Sequence, residues 1–116
     1  MATYTKNKLS GSTDGKPIVI AATGTPGTLI HTAVAGTTNY DEVWLWLANV
    51  GGGDVLCTIE YGDALGASNI KYSVIALDGL KCVLPGLVLQ NGATVRVFAG
   101  TANVINAVGF VNNIVN

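Results

Sequence analysis

The stretch from Ile70 to Ala99 reads IKYSVIALDGLKCVLPGLVLQNGATVRVFA, and its reading decides the fold. Three runs, Ile70–Leu77, Lys81–Leu89 and Thr94–Ala99, are rich in Val, Leu and other strand formers and are separated by Asp78-Gly79 and Asn91-Gly92. Such dipeptides tolerate the positive φ that tight hairpins demand. The spacing therefore predicts three antiparallel strands joined by two hairpins. Pro85-Gly86 interrupts the middle run, as a bulge or edge kink does.

Working outward, the same punctuation continues in both directions. Ile18–Ala22, Thr28–Ala35, Glu42–Asn49, Asp54–Tyr61 and Val104–Val111 read as further strands, and Gly51-Gly52-Gly53 as a flexible connection. No window carries an apolar stripe at helical spacing bounded by caps. Eight short strands at close spacing predict an all-β chain, an antiparallel β-sandwich of jelly-roll-like type. A seven-stranded immunoglobulin-like sandwich is the second choice. It lacks the Cys–Trp–Cys order, because Trp44 and Trp46 precede both Cys57 and Cys82.

Residues 1–16 are polar, contain Gly11 and Gly15, and end before Pro17. They are expected to form an extended N-terminal arm, with residues 17–116 as the sandwich domain. The arm offers little apolar surface to offset the entropy of ordering a backbone, about 1–2 kcal/mol per residue. It is expected to be mobile alone, anchored by Leu9 and Tyr4 and ordered on a neighbouring subunit.

At 116 residues the chain is the size of one domain. Charged residues make up 11% of it, against about 25% in average domains, so Thr, Asn, Ser and Gly must cover the surface. Such a surface suits burial against other subunits. A net charge of −1 argues against nucleic-acid binding, which needs a basic footprint. Lys6, Lys8 and Lys16 make the arm mildly basic against an acidic body. The first apolar run, Ile18–Ala22, is late and short for a signal peptide, and no run is long enough to span a membrane. Cys57 and Cys82 lack metal-ligand spacing and are expected to be free, acting as small hydrophobes within strands.

Two strands break the alternation of a half-buried sheet. In Glu42–Asn49, Val43, Leu45 and Leu47 share one face while Trp44 and Trp46 share the other. In Val104–Val111, Ile105, Ala107, Gly109 and Val111 oppose Val104, Asn106, Val108 and Phe110. A two-sheet sandwich has one core, so the second apolar face requires another partner. An intersubunit contact is the leading reading, since large apolar patches and tryptophans mark interfaces. Cover by the arm or a loop, and a ligand-stacking platform on Trp44 and Trp46, are the alternatives. The candidate interface residues are Lys6, Lys8, Leu9, Trp44, Trp46, Val108 and Phe110.

The residues of chemistry are sparse. His31 is the single histidine and no G-x-S-x-G is present. Asp41 and Glu42 are adjacent, so on a strand they point to opposite faces and cannot share one substrate. Glu60 and Asp63 flank a turn and are expected to solvate it. Asp14, Asp41 and Asp54 form no calcium loop, and Gly24-Thr25-Pro26-Gly27 lacks the Lys of a phosphate loop. No catalytic residue, cofactor or metal is expected.

Several motifs occur in order: Ser10-Gly11-Ser12-Thr13-Asp14-Gly15-Lys16-Pro17-Ile18; Thr25-Pro26-Gly27-Thr28-Leu29-Ile30-His31-Thr32-Ala33-Val34-Ala35-Gly36-Thr37-Thr38; Asp41-Glu42-Val43-Trp44-Leu45; Leu89-Gln90-Asn91-Gly92; Ala99-Gly100-Thr101-Ala102-Asn103-Val104-Ile105; and Gly109-Phe110-Val111-Asn112. Over most of the chain they resemble small virion proteins from the structural regions of tailed bacteriophages. The resemblance implies a capsid decoration or cement protein, a non-enzymatic β-sandwich on the head surface. Such a protein would be made in the host bacterial cytoplasm, assemble as a homo-oligomer with a trimer favoured, and bridge copies of the major capsid protein. Tail, neck or fibre-associated relatives, or a carbohydrate-binding adsorption module, are the alternative. The resemblance carries no catalytic or ligand residues. The chain departs from it at its end, Val111-Asn112-Asn113-Ile114-Val115-Asn116, which lacks the basic residue these proteins often place after Val-Asn.

Overall fold

A computed structural model describes residues 2–116. The chain is all-β, with two antiparallel sheets packed face to face. Strands β1 (Thr3–Lys8), β2 (Ile18–Val19), β4 (Tyr40–Asn49), β7 (Lys81–Leu89) and β9 (Ile105–Val115) form the first sheet, in the order β1-β9-β4-β7 with β2 also on β9. Strands β3 (Thr28–Thr32), β5 (Val55–Gly62), β6 (Asn69–Val74) and β8 (Thr94–Ala99) form the second, in the order β3-β8-β5-β6. The one helical element among the described residues is a single 3-10 turn, Gly66–Ser68.

Each of the eight expected windows contains a strand, but the pairing differs from the expected hairpins. β6 pairs with β5, β7 with β4, and β8 with β5 and β3. Asp78-Gly79 and Asn91-Gly92 therefore lie in connections that carry the chain from one sheet to the other. The local conformation is as read: Gly79, Asn91 and Gly92 have φ of 72°, 59° and 71°. Turn chemistry sets the backbone at the bend, while the core decides which strand comes alongside.

The core lies between the sheets. β4 alternates strictly, burying Val43, Leu45 and Leu47, and β9 adds Ile105, Ala107 and Val111 beside it. Facing them are Val55, Cys57 and Ile59 of β5 and Val95, Val97 and Ala99 of β8. Each fully buried Val, Leu or Ile contributes about 1.5–3 kcal/mol. Gly109 sits where a Cβ would press into the Trp44 carbonyl, so glycine lets β9 approach β4 closely.

β7 is an edge strand with two register shifts against β4, at Val43/Trp44 and Leu45/Trp46. Pro85 lies opposite Trp44 at the first, and Gly86 follows with φ 78°. This is the bulged edge that Pro85-Gly86 predicted.

The N-terminal arm requires a correction. Met1 lies outside the described residues, but Thr3–Lys8 is the edge strand of the first sheet, in register with β9 from Thr3↔Val115 to Lys8↔Phe110. Every residue of β1 is exposed, so main-chain pairing holds it rather than apolar burial. Leu9 then turns into the core, where it is 1% exposed. The Gly11 N–H bonds the Ile30 carbonyl, and a Cβ at Gly11 would sit 2.5 Å from the Leu29 carbonyl oxygen. The segment thus crosses from β1 to β3 and ties the two sheets together. At the other end, Asn116 bonds Asn39 Oδ1 through its N–H and the Thr38 carbonyl through its side-chain amide.

Candidate functional site

The outward face of the five-stranded sheet carries the residues that the double-sided pattern singled out. Strand alternation places Trp44, Trp46, Val108 and Phe110 there, and register sets them side by side: Trp44 opposite Phe110, Trp46 opposite Val108. On β1, Lys8 lies opposite Phe110 and Lys6 opposite Asn112. Asn112 in turn faces Glu42 on β4. Six of the seven candidate interface residues thus share one face. Leu9 does not: it is buried between the sheets, because the chain turns inward after Lys8.

The three rings form a compact cluster. Trp44 and Trp46 have centroids 6.1 Å apart, Trp44 and Phe110 6.1 Å, and Trp46 and Phe110 6.0 Å. Their planes are within 15–28° of one another. Each such pair contributes about 0.5–1.5 kcal/mol beyond burial. All three rings are half-buried. Lys6 Nζ lies 4.2 Å from the Phe110 centroid, a cation–π contact. The arm therefore covers part of this face through one lysine, leaving the cluster's outer side to solvent. Tyr4, Val19 and Val88 extend the exposed apolar surface around it.

Polar groups fix the cluster on the Glu42 side. The Trp44 indole N–H donates to Glu42 Oε1 at 2.7 Å, and Asn112 Nδ2 donates to the same oxygen at 3.1 Å. These bonds hold the Glu42 carboxyl below its usual range, with slight desolvation opposing them. On the β7 side, a Cβ at Gly86 would sit 2.9 Å from Trp44 Cζ2, so the glycine leaves room for the indole. Cys82, opposite Trp46, is exposed and free, whereas Cys57 is buried in the core. Both cysteines are free and lie in strands, as expected, but the role of a buried small hydrophobe fits Cys57 alone.

The titratable groups away from this face are structural in geometry. His31 and Asp41 are both buried, with Nε2 2.7 Å from Oδ2. Asp41 also accepts from the Val34 N–H at 3.1 Å and from Asn113 Nδ2 at 2.8 Å. Ser10 lies on the other side of His31, so the set has the residue types of a nucleophilic triad. The contact to Nδ1 comes from the Ser10 backbone N–H, however, and the Ser10 hydroxyl oxygen accepts from the Thr32 N–H. A base that accepts from an amide does not activate the hydroxyl beside it. Glu42 points to the opposite face from Asp41, as adjacency on a strand requires.

Glu60 overturns its expected role at a solvated turn. It is 1% exposed, beneath the loop that precedes β3. It accepts from the Gly27 N–H at 2.6 Å and from the Thr25 hydroxyl, while Arg96 donates to the Gly27 carbonyl at 3.2 Å. The loop folds over the outer face of the second sheet, and Glu60 satisfies its backbone.

Sequence reasoning missed Lys6 as a partner of Phe110 and Asn112 as a partner of Glu42, since both depend on β9 lying between β1 and β4. The Glu42–Trp44 pair had a signal, the i, i+2 spacing that puts two strand residues on one face. The chain matches no family model, no curated protein and no solved structure.

Proposed function

We propose that this chain is a non-enzymatic structural protein of a tailed-bacteriophage particle, a decoration protein that bridges major capsid subunits on the head. The observation that carries the reading is the aromatic cluster of Trp44, Trp46 and Phe110, on a sheet face that the protein's own core does not use. Clustered tryptophans on a rigid sheet are the composition of an interface hot spot. The motif resemblance supplies the partner class. The low charge content suits a surface largely covered in an assembly.

The passage of successive strands between two layers supports the jelly-roll reading of the sandwich. A trimer presenting three such faces would engage several shell subunits at once, and linked weak contacts raise the effective affinity steeply.

A second reading is a carbohydrate-binding adsorption module. It is favoured by the carboxylate of Glu42 and the amide of Asn112 beside near-parallel rings, the groups that orient a stacked sugar.

The test is the Trp44→Ala, Trp46→Ala double variant, added to particles that lack the protein. The account expects a folded variant that attaches at least about tenfold more weakly, the loss of one hot-spot contact or more. Undiminished attachment overturns the proposed docking face. Loss of glycan binding with particle attachment intact favours the second reading.

A further inference from the structure

We propose that His31 is a proton-controlled latch that holds the N-terminal segment to the sandwich. This goes beyond the assembly role above and rests on different residues. His31 Nδ1 accepts the Ser10 N–H at 2.9 Å, so that nitrogen carries no proton. The ring proton is therefore on Nε2, donated to Asp41 Oδ2 at 2.7 Å. The neutral ring thus joins three parts of the chain: the segment after β1, strand β3 and strand β4.

Protonation at Nδ1 turns an acceptor into a donor that faces another donor. The bond to Ser10 is lost, and two N–H groups are left opposed in a buried site. The contact to Asp41 survives, because the imidazolium still donates through Nε2 to a carboxylate held by Val34 and Asn113. Acid therefore strikes the joint between the N-terminal segment and β3 while sparing the joint between β3 and β4.

The surroundings direct the effect to the same place. From β4 the ring meets Asp41, the charged group that contacts it. From β8 it is paired with Val95, while the neighbouring Arg96 sends its guanidinium to the Gly27 carbonyl. From β9 the nearest side chain in the network is the neutral Asn113, bonded to Asp41. From the N-terminal segment it meets a backbone amide, and Lys8 belongs to the outward face.

The segment is built to release as a unit. β1 is exposed along its length and is bonded to β9 on one side. Leu9 is its anchor in the core, and Ser10 and Gly11 are its ties to β3. Losing the Ser10 bond weakens the two neighbouring ties, from the Thr32 N–H to Ser10 Oγ at 2.7 Å and from the Gly11 N–H to the Ile30 carbonyl at 2.9 Å. The state favoured in acid has residues 3–12 detached and the rest of the sandwich closed.

The experiment is amide hydrogen exchange of the whole chain, expressed as protection factors from about pH 7.5 to about pH 5, the span over which imidazoles change charge. Protection at Asn7, Ser10 and Thr32 is expected to fall at least about tenfold, while that at Leu45 and Val97 holds. The fall must share its midpoint with the His31 ring titration followed by NMR. In His31→Gln, whose amide supplies an acceptor and a donor that do not titrate, the pH dependence should vanish. Should that variant fail to fold, the coincidence of midpoints in the native chain decides. A segment whose protection is unchanged, falls together with the core, or changes at a different midpoint overturns the latch.

Discussion

The Trp44 indole N–H donates to the Glu42 carboxylate at 2.7 Å, linking two residues of one strand that share its outward face. Asn112, across the sheet, donates to the same oxygen at 3.1 Å. The pair fixes one ring of the aromatic cluster against a charged group. The face is thereby given a defined shape before any partner arrives, which lowers the entropy lost on docking.

The first prediction concerns pH. Hydrogen bonds from Trp44 and then Asn112 hold the folded Glu42 carboxyl below its usual range. A lowered folded value means that the carboxylate stabilises the fold above the unfolded value, and that this contribution is lost as pH falls through the folded one. Trp fluorescence should change as acid protonates Glu42 and frees the indole. In Glu42→Gln that transition should disappear. An unchanged acid transition in the variant would assign it to another group.

Glu60 yields a second prediction, on stability. Its buried carboxylate satisfies the Gly27 N–H and the Thr25 hydroxyl beneath the loop. Glu60→Ala leaves these donors without their acceptor and should destabilise the chain by about 1.5–3 kcal/mol, the range for hydrogen bonds to a charged group. Urea unfolding measures it. A loss within about 0.5 kcal/mol, the range of neutral surface substitutions, would contradict the structural role.

The cysteines provide a third. Burial pushes the Cys57 thiol up to about 11, so at neutral pH it is protonated as well as enclosed. Cys82 is exposed beside Trp46. A thiol reagent should modify one cysteine in the folded protein and both in denaturant, and Cys82→Ser should abolish labelling of the folded form. Prompt labelling of Cys57 in that variant would contradict the packing.

The strands themselves were legible as runs of strand formers bounded by turn residues, even Glu42–Asn49, whose sequence is apolar on both faces and whose alternation shows only in its burial. Their partners were not. Asp78-Gly79 and Asn91-Gly92 specify a bend but leave open whether the chain returns beside itself or crosses to the other sheet. β1 gave no signal, since an edge strand exposed on both faces has no hydrophobic period. The aromatic face was readable from Trp44, Trp46, Val108 and Phe110, whose spacing fixes their side of the strand. The contact of Lys6 with Phe110 and the membership of Asn112 were unreadable, because both depend on which strands flank β9. Glu60 looked like a surface residue for a similar reason: the loop that buries it comes from the far side of the sequence.

The most direct test of the central claim is an image of the intact particle at a resolution that places side chains. The account predicts this chain on the head surface, with Trp44, Trp46 and Phe110 closed against a neighbouring subunit. A particle without the chain, or one in which those three rings face solvent while the second sheet makes the contact, would contradict it.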